Sequence, residues 1–226
     1  MASIKENFLK VKERIERAAQ RAGRNPAEIK LVAISKTVEA TRIKEAIEAG
    51  ASILGENYVQ EAQKKIEEVG QSVSWHFIGH LQSNKAKYAV SLFDMIHSLD
   101  SFPLAEALNR RAEHENRILK VLIEVKLSEE ATKFGIDEER LLTFAKGVLQ
   151  QSHLSLEGLM TMPPYFDSPE KSRPYYIRLR EFQERMVKGG IPMEELSMGM
   201  SNDFEIAIEE GATFVRVGTA IFGPRK

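Results

Sequence analysis

Cysteine is absent from this sequence, which excludes disulfides and thiolate chemistry. An excess of charge is also missing: 32 basic residues stand against 33 acidic ones, a net charge of −1. A DNA, RNA or other polyanion partner needs a basic face, and nothing in this balance offers one. No apolar run is long enough to cross a bilayer, and the opening "MASIKENFLKVKERIERAAQRAG" is too charged for a signal peptide. Linkers rich in Pro, Gly or Ser are lacking, as are low-complexity segments. What is present is 226 residues with 42 % hydrophobic content, enough for one large core. The expectation is a single domain over residues 1–226 in a soluble cytoplasmic protein, with neither membrane nor nucleic acid as partner.

Residues 3–22 place Ile4, Phe8, Val11, Ile15 and Ala18 on one helical stripe that Gly23 and Pro26 end. After this extra N-terminal helix, short apolar runs alternate with amphipathic helices. The runs are "LVAIS" (31–35), "SILGE" (52–56), "WHFIG" (75–79), "MIHSL" (95–99), "KVLIEV" (120–125), "LEGLMTM" (156–162), "LSMGM" (196–200) and "FVRVG" (214–218). Several are continuously apolar, as parallel strands covered on both faces require. Eight β-α units in this length describe an α/β fold, a single (β/α)8 TIM-type barrel. An open doubly wound sheet is the rival. The polar segment "YFDSPEKSRP" (165–174) reads as a loop between the sixth strand and its helix.

A barrel of this kind works at the C-terminal ends of its strands. Lys36 stands at the first of those ends. Strand alternation sets it on the same face as Val32 and Ile34, and a lysine pointing toward a core is costly unless paired or used. A solvated rim lysine is the plain reading. The functional one is an amine whose pKa is lowered by partial desolvation and which condenses with an aldehyde.

The last two strands carry more. "SMGMSNDFEIAIEEG" puts Gly199, Ser201 and Asn202 between a strand and a helix, with Ser201 or Asn202 as the helix cap. "VGTAIFG" places Gly218 and Thr219 at the end of the eighth strand. The loops after strands seven and eight form the usual phosphate site of this fold, so ordinary capping and an anion site compete, and joint placement favours the anion. Arg216, flanked by Val215 and Val217, shares parity with Gly218 and faces the interior. An internal carboxylate or a ligand atom must answer it. Asn57, after strand two, either caps a helix or bonds a ligand.

Other residues point less clearly. His76 and His80 lie roughly 13 Å apart along a strand and cannot share a metal. No other spacing resembles a metal site, and no Ser-His-Asp order is evident. Met160, Met162, Met198 and Met200 read as core filling rather than a cofactor box. A ligand with an aldehyde for Lys36, a phosphate for the last two strand ends and a ring acceptor for Arg216 would suit the set. Pyridoxal 5'-phosphate (PLP) has all three.

"LVAISKT", "LGENYVQEA", "WHFIGHLQSNK", "IHSLDS", "GLMTMPP" and "LSMGMSNDFEIAIEEGATFVRVGTAIFG" resemble the PLP homeostasis protein family, in order and over nearly the whole chain. The resemblance implies a barrel similar to the N-terminal domain of alanine racemase. It implies that Lys36 forms an internal aldimine, that Ser201, Gly218 and Thr219 hold the phosphate, that Arg216 faces the pyridine nitrogen, and that Asn57 and His80 line the cofactor. Two departures stand out. The chain reads "SKTVEA" where the family often has proline after the lysine motif. It has Lys126 in "IEVKLSEEATKFG" where the family usually shows asparagine.

Three functions compete. The first is a PLP carrier or reservoir in intracellular vitamin B6 and amino-acid homeostasis, without significant catalysis and with PLP-dependent apoenzymes as recipients. The second is a PLP-dependent amino-acid racemase or decarboxylase. The third is a barrel enzyme that uses Lys36 as an aldolase-like amine without PLP. Arg216 favours the first. It keeps its protons, leaves the ring nitrogen unprotonated, and weakens the electron sink that amino-acid chemistry needs. Racemases with a similar arginine take a second base from another domain or subunit, and no second domain is expected here.

Overall fold

Ser3 starts the fold. Its hydroxyl accepts from the Glu6 N–H while the Glu6 carboxylate accepts from the Ser3 N–H, a reciprocal cap. Helix α1 (Ile4–Arg21) follows, with Ile4, Phe8, Val11, Ile15 and Ala18 all buried, the stripe read from sequence. The computed structural model describes residues 3–128 and 134–224. Of the stretch after the fifth strand, "EEATK" (129–133) lies outside the described residues.

Eight strands then close a barrel in chain order, each parallel to its neighbours. They are β1 (Lys30–Ile34), β2 (Ile53–Glu56), β3 (Ser74–Phe77), β4 (Met95–Leu99), β5 (Leu119–Glu124), β6 (Leu154–Met160), β7 (Glu195–Met200) and β8 (Phe214–Val217). The helices between them are α2 (Ala40–Glu48), α3 (Val59–Val69), α4 (Ala86–Leu92), α5 (Phe102–His114), α6 (Glu138–Val148), α7 (Arg173–Lys188) and α8 (Phe204–Glu209). A short helix, α9 (Thr219–Phe222), follows β8 directly. The closed sheet rules out the open doubly wound alternative. Helix α1 packs against α2, α8 and α9. Its Arg14 pairs with Glu205 of α8 at 3.0 Å.

Alternation divides the apolar residues into two layers. Ala33, Leu54, Trp75, Ile96 and Val121 point outward and meet the helices. Val32, Ile34, Ile78, Met95, Leu122, Met160 and Phe214 form a smaller inner cluster. His76, His97, Ser197 and Arg216 are also buried. The β7–β8 register shifts between Ser197 and Met200. Gly199 makes that irregularity possible: its φ is +90°, and a Cβ there would sit 2.5 Å from the Ala207 Cβ.

Candidate functional site

The strand ends surround a cavity of about 520 Å³. Of the residues read from sequence, Lys36, Asn57, Ser201, Arg216, Gly218 and Thr219 all line it. His80 does not. It lines a neighbouring cavity of about 410 Å³, stacked on Phe134 at 3.6 Å between ring centroids, with Nδ1 3.1 Å from Asp100 Oδ2. Asn57 borders both cavities.

Lys36 is half-buried in a turn just past β1. The turn is tied down on both sides. On one side, the Ser35 hydroxyl donates to Glu56 Oε1 at 2.7 Å, and the Lys65 ammonium donates to the Ser35 carbonyl. On the other, the Thr37 N–H donates to Glu61 Oε1. Lys65 joins the two halves by bonding Glu56 Oε1 at 2.7 Å and Glu61 Oε1 at 2.6 Å. Thr37 has φ 61°, a left-handed conformation unfavourable for a β-branched residue, so the surrounding bonds must hold it there. Burial pushes the Glu56 carboxyl up from its usual range, while Lys65 and Ser35 pull it back.

Arg216 is 3 % exposed. Its Nη1 donates to the Ser197 carbonyl at 2.7 Å and the Ser197 hydroxyl at 2.6 Å, and its Nη2 donates to the Thr161 carbonyl at 2.8 Å. These acceptors are neutral groups, not the internal carboxylate considered from sequence. Three of its five N–H donors are thereby used. Burial lowers the guanidinium from its usual value, and Tyr176, Glu124 and Asp203 raise it again.

At the ends of β7 and β8 the capping expectation needs correction. Neither Ser201 nor Asn202 caps α8. Its cap position is Asp203, whose carboxylate accepts from the Met200 N–H and the Ser172 hydroxyl, both at 2.8 Å. Asn202 donates to the Phe166 carbonyl. Ser201 turns to the next strand end instead, where its hydroxyl accepts from the N–H groups of Gly218 at 3.2 Å and Ala220 at 3.5 Å. Gly218 runs so close to β1 that a Cβ would lie 3.3 Å from the Ile34 Cβ. Asn57 does not cap α3, whose cap position is Tyr58. Its Oδ1 is buried with no partner among the described residues.

Sequence reasoning missed the cavity's far wall, where Tyr165 and Phe166 line it from the segment read only as a polar loop. The signal was available, since two aromatic residues follow the sixth strand within a few positions, just past Pro163 and Pro164. The methionines split: Met160 and Met198 fill core, while Met162 and Met200 line the cavity. Lys126 borders a separate pocket with Glu124 and Phe134. No group of three or more His, Asp or Glu suited to a metal occurs among the described residues.

Residues 7–226 match the family model described as "Alanine racemase, N-terminal domain". A protein of Aquifex aeolicus named "Pyridoxal phosphate homeostasis protein" is 45 % identical over 98 % of each chain. The chain belongs to the pyridoxal phosphate homeostasis protein family. Another relative is PipY of Synechococcus elongatus, solved with PLP bound. It is 38 % identical, with a TM-score of 0.83 over 93 % of this chain and all of that one. An alanine racemase of Clostridium difficile has a TM-score of 0.75 at 14 % identity, a likeness of fold, and this chain covers 57 % of that longer one. In this homeostasis family member the barrel is closed and every cavity-lining residue named from sequence except His80 reaches the same cavity.

Proposed function

We propose that this chain binds pyridoxal 5'-phosphate at the strand ends and serves as a carrier or reservoir in vitamin B6 and amino-acid homeostasis, without significant turnover. The whole chain acts as one binding domain. The observation that carries the reading is convergence: an amine, a buried guanidinium and a cluster of amide donors line one cavity. The cofactor supplies an aldehyde, a phosphate and a pyridine nitrogen when bound. The residues present fit those groups. Ser201 holds its hydroxyl on two backbone amides, donors that an anion's oxygens can take in its place. Asn57 Oδ1 lacks a partner among the described residues, and a ligand donor would satisfy it.

Each residue's part follows from its surroundings. Lys36 presents its amine from a turn fixed by Ser35 and Thr37. Arg216, which keeps its protons, offers donors to a ring nitrogen and so holds that nitrogen in its unprotonated form. Ser201, Gly218 and Thr219 orient the phosphate. The named relatives, one of them solved with PLP, support the cofactor's identity. The test is labelling: borohydride reduction in the presence of PLP, then peptide mapping, places the pyridoxyl group on Lys36. Label chiefly on Lys85 or Lys126 overturns the assignment. A protein that takes no label and shows no visible absorbance overturns PLP binding itself.

A further inference from the structure

Beneath the cavity a line of polar side chains runs through the barrel to its opposite end. Arg216 Nη1 donates to Ser197 Oγ at 2.6 Å. Ser197 Oγ is 2.8 Å from His97 Nδ1, and His97 Nε2 is 2.9 Å from His76 Nδ1. His76 Nε2 is 3.2 Å from Ser74 Oγ, which donates to Asp94 Oδ2 at 2.9 Å. From Arg216 to His76 the chain is buried, Ser74 is half-buried and Asp94 is exposed. Phe214 packs edge-on against both imidazoles, at 5.6 and 5.3 Å between centroids.

The two ends of this chain dictate the protons between them. An ionised Asp94 only accepts, so the single Ser74 proton points to it and the Ser74 oxygen must accept from His76. A neutral imidazole has one N–H. His76 therefore carries its proton on Nε2 and accepts at Nδ1, His97 does the same, and the Ser197 hydroxyl donates to His97. That leaves the Ser197 oxygen free to accept from Arg216, which can only donate. Both ends demand the same direction, and no link is frustrated. Two ring nitrogens 2.9 Å apart leave room for one proton between them, which already forbids double protonation of both rings. Burial holds both rings neutral, His76 at about 4 and His97 well below its usual value.

Burying two imidazoles where aliphatic side chains would fill the barrel costs desolvation, so the chain needs a use. We propose that Ser197, His97, His76, Ser74 and Asp94 form a one-way hydrogen-bond relay that holds Arg216 in the orientation the cavity uses. This rests on the PLP reading above. Ser197 and His97 are positioning residues. Ser197 takes both Nη1 protons, one on its carbonyl and one on its hydroxyl. Without His97, that hydroxyl is free to rotate its own proton toward the guanidinium, and the grip is lost.

Two measurements test this. In histidine-labelled protein without PLP, long-range nitrogen–proton NMR should show His76 and His97 both protonated on Nε2 only. A proton on Nδ1 of either ring overturns the relay. In the second, PLP is titrated into His97→Phe, Ser197→Ala and Ser197→Thr. The first two should bind about tenfold more weakly, the loss of one such hydrogen bond, with a shifted absorption maximum. Ser197→Thr, which keeps the hydroxyl, should restore both. If His97→Phe does not fold, Ser197→Ala against Ser197→Thr decides alone. A folded variant with unchanged affinity and spectrum makes the chain core filling and overturns the proposal. Failure of the unaltered protein to bind PLP overturns the cofactor reading, whereas the NMR result on the relay is read without PLP.

Discussion

At the residue scale the question is what Lys36 and Arg216 can do together. A racemase or decarboxylase would need charge stored in the cofactor ring, and a guanidinium that keeps its protons does not protonate the ring nitrogen. Racemisation also needs a second base facing Lys36. Among the described residues lining the cavity, the other ionisable side chains are Asp203, Tyr165 and Arg216. Asp203 is held by the Met200 N–H and the Ser172 hydroxyl, and Tyr165 is 76 % exposed. Incubation with L-alanine or L-lysine in deuterium oxide should therefore show no rapid exchange of the α-proton. Exchange on the order of one per second or faster would revive the racemase reading, with Tyr165→Phe as the variant to examine next. Lys65 supports a second expectation at this scale. Its ammonium is the partner of Glu56, whose side chain is fully buried. Lys65→Met strands that carboxylate and should cost about 3–5 kcal/mol in urea unfolding. Glu56→Gln in the same chain should recover much of it. No recovery would mean that Lys65 acts through the Ser35 carbonyl instead.

At the scale of elements, the sequence was easiest to read where apolar periodicity was strong. All eight expected strands form, with ends within two residues of those read from the sequence. The errors sit where the chain leaves the ladder. "TM" after β6 continues the run, yet both residues lie past the strand end: Thr161 is buried with its hydroxyl on the Val125 carbonyl, and Met162 lines the cavity. In "SND" each residue is a good cap, and composition alone could not choose Asp203 over Ser201. Helix α9 was hidden because "TAIF" continues the apolar run of β8. The site was legible where a polar residue interrupted such a run, as Lys36 and Arg216 do. It was illegible where three-dimensional closure brought partners together, as with Tyr165, Phe166 and the His76–His97 pair. The β7–α8 and β8–α9 connections make a prediction of their own. Ser201, Gly218 and Thr219 come from adjacent strand ends and line one cavity, and the proposed phosphate site rests on them. Charge-assisted hydrogen bonds contribute about 1.5–3 kcal/mol each, so losing several weakens binding by at least about a hundredfold. Pyridoxal, which has the same aldehyde and ring without phosphate, should bind that much more weakly than PLP, and Ser201→Ala should narrow the gap. Equal affinities by absorbance titration would show that the anion site lies elsewhere.

At the scale of the whole molecule, the barrel holds two neutral imidazoles in its interior, and this links stability to pH. In the unfolded chain a histidine takes up a proton near pH 6.5. In the fold, burial delays that uptake to about 4 for His76, and holds His97 well below its usual value too. Between these values the unfolded state binds more protons, so acid favours unfolding. The stabilising effect of the neutral rings is complete above about pH 6.5 and is lost as pH falls toward 4. From about pH 6.5 to about pH 5 the His76 ring alone removes roughly 1–2 kcal/mol, and His97 acts in the same direction. Glu56 works in the opposite sense, because its raised carboxyl binds a proton more readily in the fold, and it trims the total. The lowered carboxyls of Glu170 and Glu209 weigh in only below this window. Urea unfolding across the window should therefore show a falling midpoint at constant m-value. His76→Gln removes one of the two rings and should flatten the slope without abolishing it. A midpoint independent of pH in the unaltered protein would mean that the rings titrate normally in the fold, with water or a counter-charge reaching them through the barrel floor at Ser74 and Asp94.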